Sequence, residues 1–196
     1  FVDREDKYNR VLGVDYNLAS EDNTWNGQFY MHKSFQPDDN LGNFSGGARL
    51  TYNSRKYNFF AKGLFIDEDF SSDLGFIRRT DLFKSLLSAE RAYWPETGSI
   101  QTHAFQIFSA YNWSPSRDFK NTDYDFRSSW EAKFNDTAEF AIGLNNSFTF
   151  LFDDFDPTGS DDGLPVPGNQ GYHYNSVEAG YESDQRKIFA YGLGTE

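Results

Sequence analysis

The sequence predicts an all-β fold, an antiparallel transmembrane β-barrel with about nine strands in this chain. Three observations lead to this prediction: apolar and polar residues alternate in long runs, tight turns and long connections separate the runs, and aromatic residues gather near their ends. Side chains alternate across a strand, so each run has one apolar and one polar face. Single-chain bacterial barrels have even strand numbers. We therefore expect residues 1–196 to form one β-barrel domain or a fragment of a larger barrel.

The strongest pattern lies between Phe126 and Phe152, where two alternating runs flank a two-residue turn at Asn135 and Asp136. The second run is much longer than the ~5–6 residues of a usual globular strand. Its length and its period of two indicate a strand that crosses a membrane as part of a barrel. One face of this predicted hairpin would carry Phe126, Ser128, Trp130, Ala132, Phe134, Ala138, Phe140, Ile142, Leu144, Asn146, Phe148, Phe150 and Phe152.

Seven further segments show weaker forms of the same alternation and complete the nine strands. They are residues 10–19, 24–35, 46–53, 57–66, 100–113, 172–182 and 187–194. Aromatic residues stand near the ends of several of them, where amphipathic rings fit a bilayer interface. The aromatic residues near these ends are Trp25, Tyr52, Tyr57, Tyr111, Trp113, Phe134 and Phe152.

The connections between these segments are alternately short and long. Outer-membrane barrels have short periplasmic turns and longer loops on the outer side. We therefore expect the turns at Glu21, Asn53, Pro115, Asn135 and Ser183 to lie on the periplasmic side. The connections that begin at Pro37, Asp67 and Asp153 would face outward, with long outward loops near residues 67–99 and 153–171.

The composition agrees with a barrel and excludes several other classes. The chain is 38% hydrophobic and 19% aromatic, yet its mean hydropathy is -0.72 and it has no run of apolar residues long enough for a transmembrane helix. The absence of cysteine excludes disulfides and thiol chemistry. A net charge of -12 without a basic cluster argues against a nucleic-acid partner. A soluble sandwich or a lipocalin-like barrel, whose strands also alternate, stays open.

Two short motifs resemble the signature of the DUF5916 family. They are DEDFSSDLGFIRRTD, from Asp67 to Asp81, and NRVLGVDY, from Asn9 to Tyr16. The resemblance implies a large C-terminal outer-membrane barrel of Bacteroidota envelope proteins, without an established biochemical activity. In that family the barrel often follows an N-terminal module similar to family 9 carbohydrate-binding domains. This chain lacks that module, and a full family barrel would be considerably longer, so the resemblance implies part of a barrel.

The segment of residues 67–81 also has a physical interpretation of its own. Pairing of Asp69 and Asp73 with Arg78 and Arg79 would close the loop on itself, while Phe70, Leu74 and Phe76 form a small apolar plug over the lumen. Residues 82–91 would form a short helix within this connection. The alternative is a solvated outer loop whose charges contribute little to stability.

Other candidate sites are weaker. Acidic residues crowd residues 153–162 and suggest calcium, but their spacing differs from that of an EF-hand. His32, His103 and His173 lie on separate segments without a metal-binding motif, and Glu131 and Glu139 do not define a glycosidase pair without geometry. We therefore assign no catalytic, cofactor-binding or metal-binding residue. A simpler interpretation is a charge ladder that lines the lumen and comprises Arg49, Lys62, Arg127, Glu131, Lys133 and Glu139.

These observations predict a protein of the cell outer membrane that is not an enzyme and needs no cofactor. It would act as a channel, a transport component or an envelope scaffold, with the lipid bilayer and other outer-membrane proteins or glycans as partners. The alternative is a soluble or surface β-sandwich that binds or processes glycans through its aromatic residues. The two differ in whether Phe140, Ile142, Leu144 and Phe148 face lipid or a second sheet.

Overall fold

The computed structural model describes residues 2–4, 7–37, 43–159 and 163–195, which form strands joined by turns and loops. A single short 3₁₀ helix, Pro115–Arg117, interrupts this pattern. The strands are β1 Val2–Arg4, β2 Lys7–Ala19, β3 Trp25–Phe35, β4 Phe44–Asn53, β5 Tyr57–Ile66, β6 Leu82–Tyr93, β7 Ile100–Ser114, β8 Lys120–Phe134, β9 Glu139–Leu151, β10 Gln170–Glu182 and β11 Gly192–Thr195.

All eleven strands belong to one antiparallel sheet in which every strand pairs with its neighbour in the sequence, in the order β1 to β11. The prediction of an all-β antiparallel fold is confirmed. In the described parts of the chain, β11 pairs only with β10 and β1 only with β2, so the sheet is open and does not close into a barrel. The same residues contain no second sheet that would pack on either face.

The pairing register gives the sheet one apolar and one polar face. Leu144 lies opposite Ser128 on β8 and Val177 on β10, while the adjacent Gly143 lies opposite Ser129 and Glu178. We call the face that carries Leu144 the apolar face and the other the polar face. The alternation predicted between Phe126 and Phe152 is therefore present in the hairpin of β8 and β9, whose turn comprises residues 135–138.

Among the described residues, no other part of the chain covers the apolar face, and the polar face is covered only near one end, by residues 67–81. The accessible surface is 13800 Å² for 22.6 kDa, whereas folded monomers of this mass expose roughly 9,500 Å². The buried apolar side chains within the described residues are few: Phe70, Leu82, Ala110, Ala132 and Ala138. Most of the apolar face is thus available for contact with a medium outside this chain.

The structure corrects the prediction of a long loop over residues 67–99. Leu82–Tyr93 forms β6 and pairs along its length with β5 and β7, so residues 82–91 are not helical. The connection before it is confined to residues 67–81. Because β6 and the short edge strand β1 were not predicted, the described residues contain eleven strands and not about nine. The last strand begins at Gly192 and not near residue 187.

The additional strand also changes which connections share an end of the sheet. Because antiparallel strands reverse direction at each turn, residues 20–24, 54–56, 94–99, 135–138 and 183–191 lie at one end, which we call the first end. Residues 36–43, 67–81, 115–119 and 152–169 lie at the second end. The turn at Pro115 therefore lies beside the long connections, contrary to the prediction. Residues 38–42 and 160–162 of these connections lie outside the described residues.

Candidate functional site on the polar face

The polar face carries most of the charged side chains of the strands. The register places all six residues of the predicted charge ladder on this face: Arg49, Lys62, Arg127, Glu131, Lys133 and Glu139. Seven further charged residues lie on it: Asp15, Lys84, Glu90, Asp123, Asp125, Glu178 and Glu182. Two groups of these charges, on different strands, differ in their partners.

One group forms a lateral network across β8, β9 and β10. The Arg127 Nε donates a hydrogen bond of 2.7 Å to the Asn145 amide oxygen. The Asn145 side-chain nitrogen then donates to Ser176 Oγ at 3.1 Å and to the Glu178 carboxylate. Nearer the first end, Lys133 Nζ lies 2.8 Å from Glu139 Oε1 on the neighbouring strand. Both cations of this group are therefore connected to a carboxylate, Arg127 through Asn145 and Lys133 directly.

The other group is a row of three cations on β4, β5 and β6. Arg49 lies directly opposite Lys62, and Lys84 lies diagonally from Lys62, two residues from its partner Leu86. In the described residues none of these three cations forms an ion pair with a carboxylate, although Arg49 lies 5.6 Å from the Phe60 ring centre. We call Arg49, Lys62 and Lys84 the cation row.

The connection of residues 67–81 covers the polar face at the second end. The Ser71 amide donates to Ser34 Oγ at 3.3 Å, and the Asn9 side chain binds both the Ser71 carbonyl at 3.1 Å and the Asp73 amide at 3.3 Å. Phe70 is only 8% exposed and Ser34 is fully buried. These contacts hold the first half of the connection against the sheet.

The second half of this connection is held by two charged groups. Arg79 contacts Asp123 at 3.4 Å and donates to Thr122 Oγ1 at 3.2 Å. The Asp81 carboxylate accepts hydrogen bonds from the Ser114 hydroxyl and from the amide and hydroxyl of Ser116, each of the latter at 2.8 Å. Burial raises the pKa of Asp81, but these hydrogen bonds and the nearby Arg117 charge outweigh it and leave the pKa below its ordinary value.

The predicted internal pairing of this loop differs from the observed one. Arg79 pairs with Asp123 of β8, and the structure gives no ion pair between Asp69 or Asp73 and the arginines within residues 67–81. Of the three residues predicted to form a plug, Phe70 is buried, whereas Leu74 is 79% and Phe76 is 92% exposed. The loop therefore packs through one aromatic residue and presents two apolar side chains to its surroundings.

The apolar face carries two rows of aromatic rings, one toward each end of the sheet. The first row includes Trp25 and Tyr52, with ring centres 4.8 Å apart, and Trp130 and Phe140, at 5.9 Å. The remaining rings of the first row are Phe59, Tyr93, His103, Phe105 and Tyr181. Trp130 Nε1 donates to His103 Nδ1 at 3.2 Å, which satisfies the indole within this row.

The second aromatic row runs across β6 to β10. Tyr124 lies 5.3 Å from Tyr111 and 5.5 Å from Phe148, measured between ring centres. The other rings of this row are Phe83, Trp113 and His173. On β9 the two rows are marked by Phe140 and Phe148, which are ~26 Å apart along the strand at ~3.3 Å per residue.

Aliphatic and small side chains form most of the band between the two rows, which also contains Phe126 and the hydrogen-bonded pair Asn146 and Asn175. The aliphatic and small side chains include Leu50, Ala61, Leu87, Ala89, Ile107, Ile142, Leu144 and Val177. On the described strands β2 to β10, charged residues occur on this face only near strand ends, as Lys33 and Arg91 do. Lys33 Nζ lies 4.2 Å from the Phe44 ring centre, and the Arg91 guanidinium lies 4.6 Å from that of Tyr93.

The three histidines do not come together. His32 lies on the polar face beside Tyr30, while His103 and His173 belong to the first and second aromatic rows. Glu139 is paired with Lys133, which gives it a structural partner. The described residues contain no group of three or more histidine, aspartate or glutamate side chains placed to hold a metal ion. Asp161 and Asp162 of the candidate calcium loop, residues 153–162, lie outside the described residues.

Comparison of the chain with family models, with curated proteins and with solved structures gave no match. The resemblance to the DUF5916 family therefore stays a prediction. No helix in the described parts of the chain is long and apolar enough to cross a membrane.

Proposed function

We propose that this chain forms part of an outer-membrane β-barrel that acts without catalysis, as a channel, a transport component or an envelope scaffold. One observation carries the proposal: two rows of aromatic rings flank an aliphatic band on one face of a single sheet. In barrels of the outer membrane an apolar band ~25 Å tall lies between two aromatic girdles. At a strand tilt of ~40°, the ~26 Å between Phe140 and Phe148 along β9 becomes ~20 Å along the barrel axis, which is close to the height of that band.

The charge distribution supports lipid contact by the apolar face. Charged side chains are costly in hydrocarbon, and the acidic residues of β2 to β10 and the cations in the middle of these strands lie on the polar face. Lys33 and Arg91 reach aromatic rings near the strand ends, where long cationic side chains extend toward headgroups. The polar face would then line an aqueous lumen, because side chains of a transmembrane barrel alternate between lipid and lumen.

The strand number suggests a lumen that is not filled by side chains. A barrel of about eight strands is closed by its interior residues, whereas larger barrels enclose cavities or channels. The described residues contribute eleven strands in an open sheet, and closure requires further strands or a second chain. The connection of residues 67–81 would narrow this lumen at the second end.

A glycan-binding β-sandwich is the weaker alternative. A sandwich needs a second sheet on the apolar face, and the described residues form one sheet only. Lipid contact requires no such additional element.

Membrane extraction of the full-length protein tests the proposal. The protein should stay in the envelope fraction after carbonate and urea washes and should dissolve only in detergent. Release by the washes would contradict the proposal and make glycan binding the leading function.

Nitroxide labels at two adjacent positions distinguish a lipid-facing surface from a sandwich core. The chain has no cysteine, so Ile142→Cys and Ala141→Cys give single labelling sites on the apolar and polar faces. In lipid vesicles a label at 142 should collide often with oxygen and rarely with a water-soluble nickel complex, whereas a label at 141 should show the reverse. Low accessibility to both reagents at 142 would indicate a sandwich core.

A further inference from the structure

The cation row is the feature of the polar face that fold stability does not explain. Directly opposite side chains of an antiparallel pair are ~4.5–5.5 Å apart at their Cβ atoms, and like charges there destabilise the sheet. Arg49 and Lys62 occupy such positions, with Lys84 diagonal to Lys62. The chain has a net charge of -12, yet these three adjacent cations form no ion pair with a carboxylate of the described residues. Their mutual repulsion therefore lowers the stability of the sheet.

Leu86 and Leu64 lie opposite Lys62 and Lys84, and an amide side chain flanks the row on each side, with Asp123 one strand further, opposite Asn112. Gln28 lies opposite Arg49 on β3, and Asn112 lies opposite Lys84 on β7. The Asn112 side-chain oxygen is buried without a hydrogen-bond partner. On β4 to β6 the acidic residue of this face is Glu90, which accepts a 2.8 Å hydrogen bond from Asn58 toward the first end.

We propose that Arg49, Lys62 and Lys84 form a binding subsite for a small anionic solute that carries a phosphate or carboxylate group. An anion between the three side chains would relieve their mutual repulsion and accept charge-assisted hydrogen bonds from the guanidinium and the two ammonium groups. Gln28, opposite Arg49, would bind uncharged parts of the solute. On β8 to β10 the cations are already connected to carboxylates and would not compete for the anion.

This subsite rests on the proposed barrel, because an enclosed lumen screens the three charges less than open solvent does. In that setting the row selects anions over cations as solutes pass along the polar face. Arg49, Lys62 and Lys84 would thus set the class of solute that the proposed barrel accepts.

Calorimetric titration of inorganic phosphate into the detergent-solubilised full-length protein tests the subsite. Lys62→Gln should weaken phosphate binding at least about tenfold, since it removes the middle cation and its hydrogen bonds. Lys62→Arg should retain binding. The matched control is Lys133→Gln, which removes a cation from the same face but from an ion pair with Glu139, and it should bind phosphate as the parent does.

Circular dichroism establishes that each variant keeps its strand content before titration. Absence of phosphate binding by the parent protein, or equal binding by the parent and a folded Lys62→Gln variant, would overturn the subsite. These results are separate from membrane extraction: a protein that needs detergent for release but does not bind phosphate retains the barrel and loses the subsite.

Discussion

The Arg79 guanidinium lies 3.4 Å from the Asp123 carboxylate and joins the connection between β5 and β6 to β8, two strands further along the sheet. The two side chains are 41% and 31% exposed, so their ion pair contributes little to the stability of the whole fold. Its effect is local, because it fixes the position of a connection that otherwise touches the sheet mainly through Phe70, Ser71 and Asp81.

Asp123→Asn should loosen this connection without unfolding the sheet. We expect the free energy of unfolding, measured in urea, to change by less than ~1 kcal/mol. Chymotrypsin should cleave after Phe76 several-fold faster than in the parent protein. Limited proteolysis followed by mass spectrometry measures the cleavage. Asp125→Asn, on the same strand and face, is the control and should leave the rate unchanged. Equal rates in the two variants would show that the ion pair does not restrain the loop.

The turn of residues 183–191 should respond to acid through Asp184. Hydrogen bonds from the Arg186 side chain and backbone, together with that from Thr137, lower the pKa of Asp184 well below its ordinary value. The unfolded carboxylate has a pKa of about 3.9 and binds protons first as the pH falls. The stabilisation is therefore complete above about pH 4 and declines as the pH falls toward the folded pKa.

Hydrogen exchange of the amides in residues 183–191 measures this dependence. Protection should be constant from about pH 7 to 5, after correction for intrinsic exchange rates, and should fall below about pH 4. Asp184→Asn should give weaker protection that no longer depends on acid. A parent protein whose protection persists unchanged at the lowest pH would contradict the role of this carboxylate.

Gly47 should not tolerate a side chain, because a Cβ atom there would lie 2.7 Å from the ring of Tyr30 on the neighbouring strand. Gly47→Ala should destabilise the sheet by ~1–3 kcal/mol through overpacking. The matched control is Gly63→Ala on β5, where no atom lies within 4 Å of the added Cβ. That variant should be neutral or stabilised by ~0.5–1 kcal/mol, since alanine restricts the unfolded chain.

Equilibrium unfolding of both glycine variants in urea gives the comparison. A further variant, Gly47→Ala combined with Tyr30→Ala, should be less affected by the alanine at residue 47, because the ring that it would meet is gone. Equal effects of alanine at residues 47 and 63 would show that the Tyr30 ring moves aside at little cost.

Leu144→Arg tests the environment of the apolar face. Leu144 is 55% exposed in this sheet, so in water the substitution should have almost no effect. At a bilayer midplane it should cost ~2–4 kcal/mol. The control Ala141→Arg lies on the polar face opposite Glu131 and should cost less than ~1 kcal/mol. Reversible urea unfolding in lipid vesicles measures both, and equal costs would contradict lipid contact at Leu144.

The sequence was sufficient to predict strands wherever apolar residues alternate cleanly. The hairpin of β8 and β9 has such a pattern, since one face of Phe126–Phe134 and of Ala138–Phe152 is almost wholly apolar. β6 was missed because Ser85 and Arg91 lie on its apolar face while Leu82 and Leu86 lie on its polar face. Leu82 and Leu86 are four residues apart, a spacing that also fits one face of a helix. Only pairing with β5 and β7 identifies this segment as a strand.

The candidate site was predicted in part of its composition but not in its contacts, and Lys84 was missed with β6. Alternation alone places Arg49, Lys62 and Glu131 on the polar face, because each of them lies between two apolar-face residues of its own strand. The partner of Arg79 is 44 residues away in the sequence, so no local pattern indicates it. The separation of the polar face into a cation row and a network whose cations are connected to carboxylates likewise depends on the register between strands.

The strict order of the strands, each beside its neighbour in the sequence, has a consequence for how the chain reaches its fold. Its strand pairings are local along the chain, so its relative contact order is low for an all-β protein and little loop-closure entropy opposes each step. Hairpins can therefore form one after another and extend the sheet from either edge. A break in residues 152–169 would leave β1 to β9 with all of their pairings to one another, and β10 could rejoin along the edge of β9.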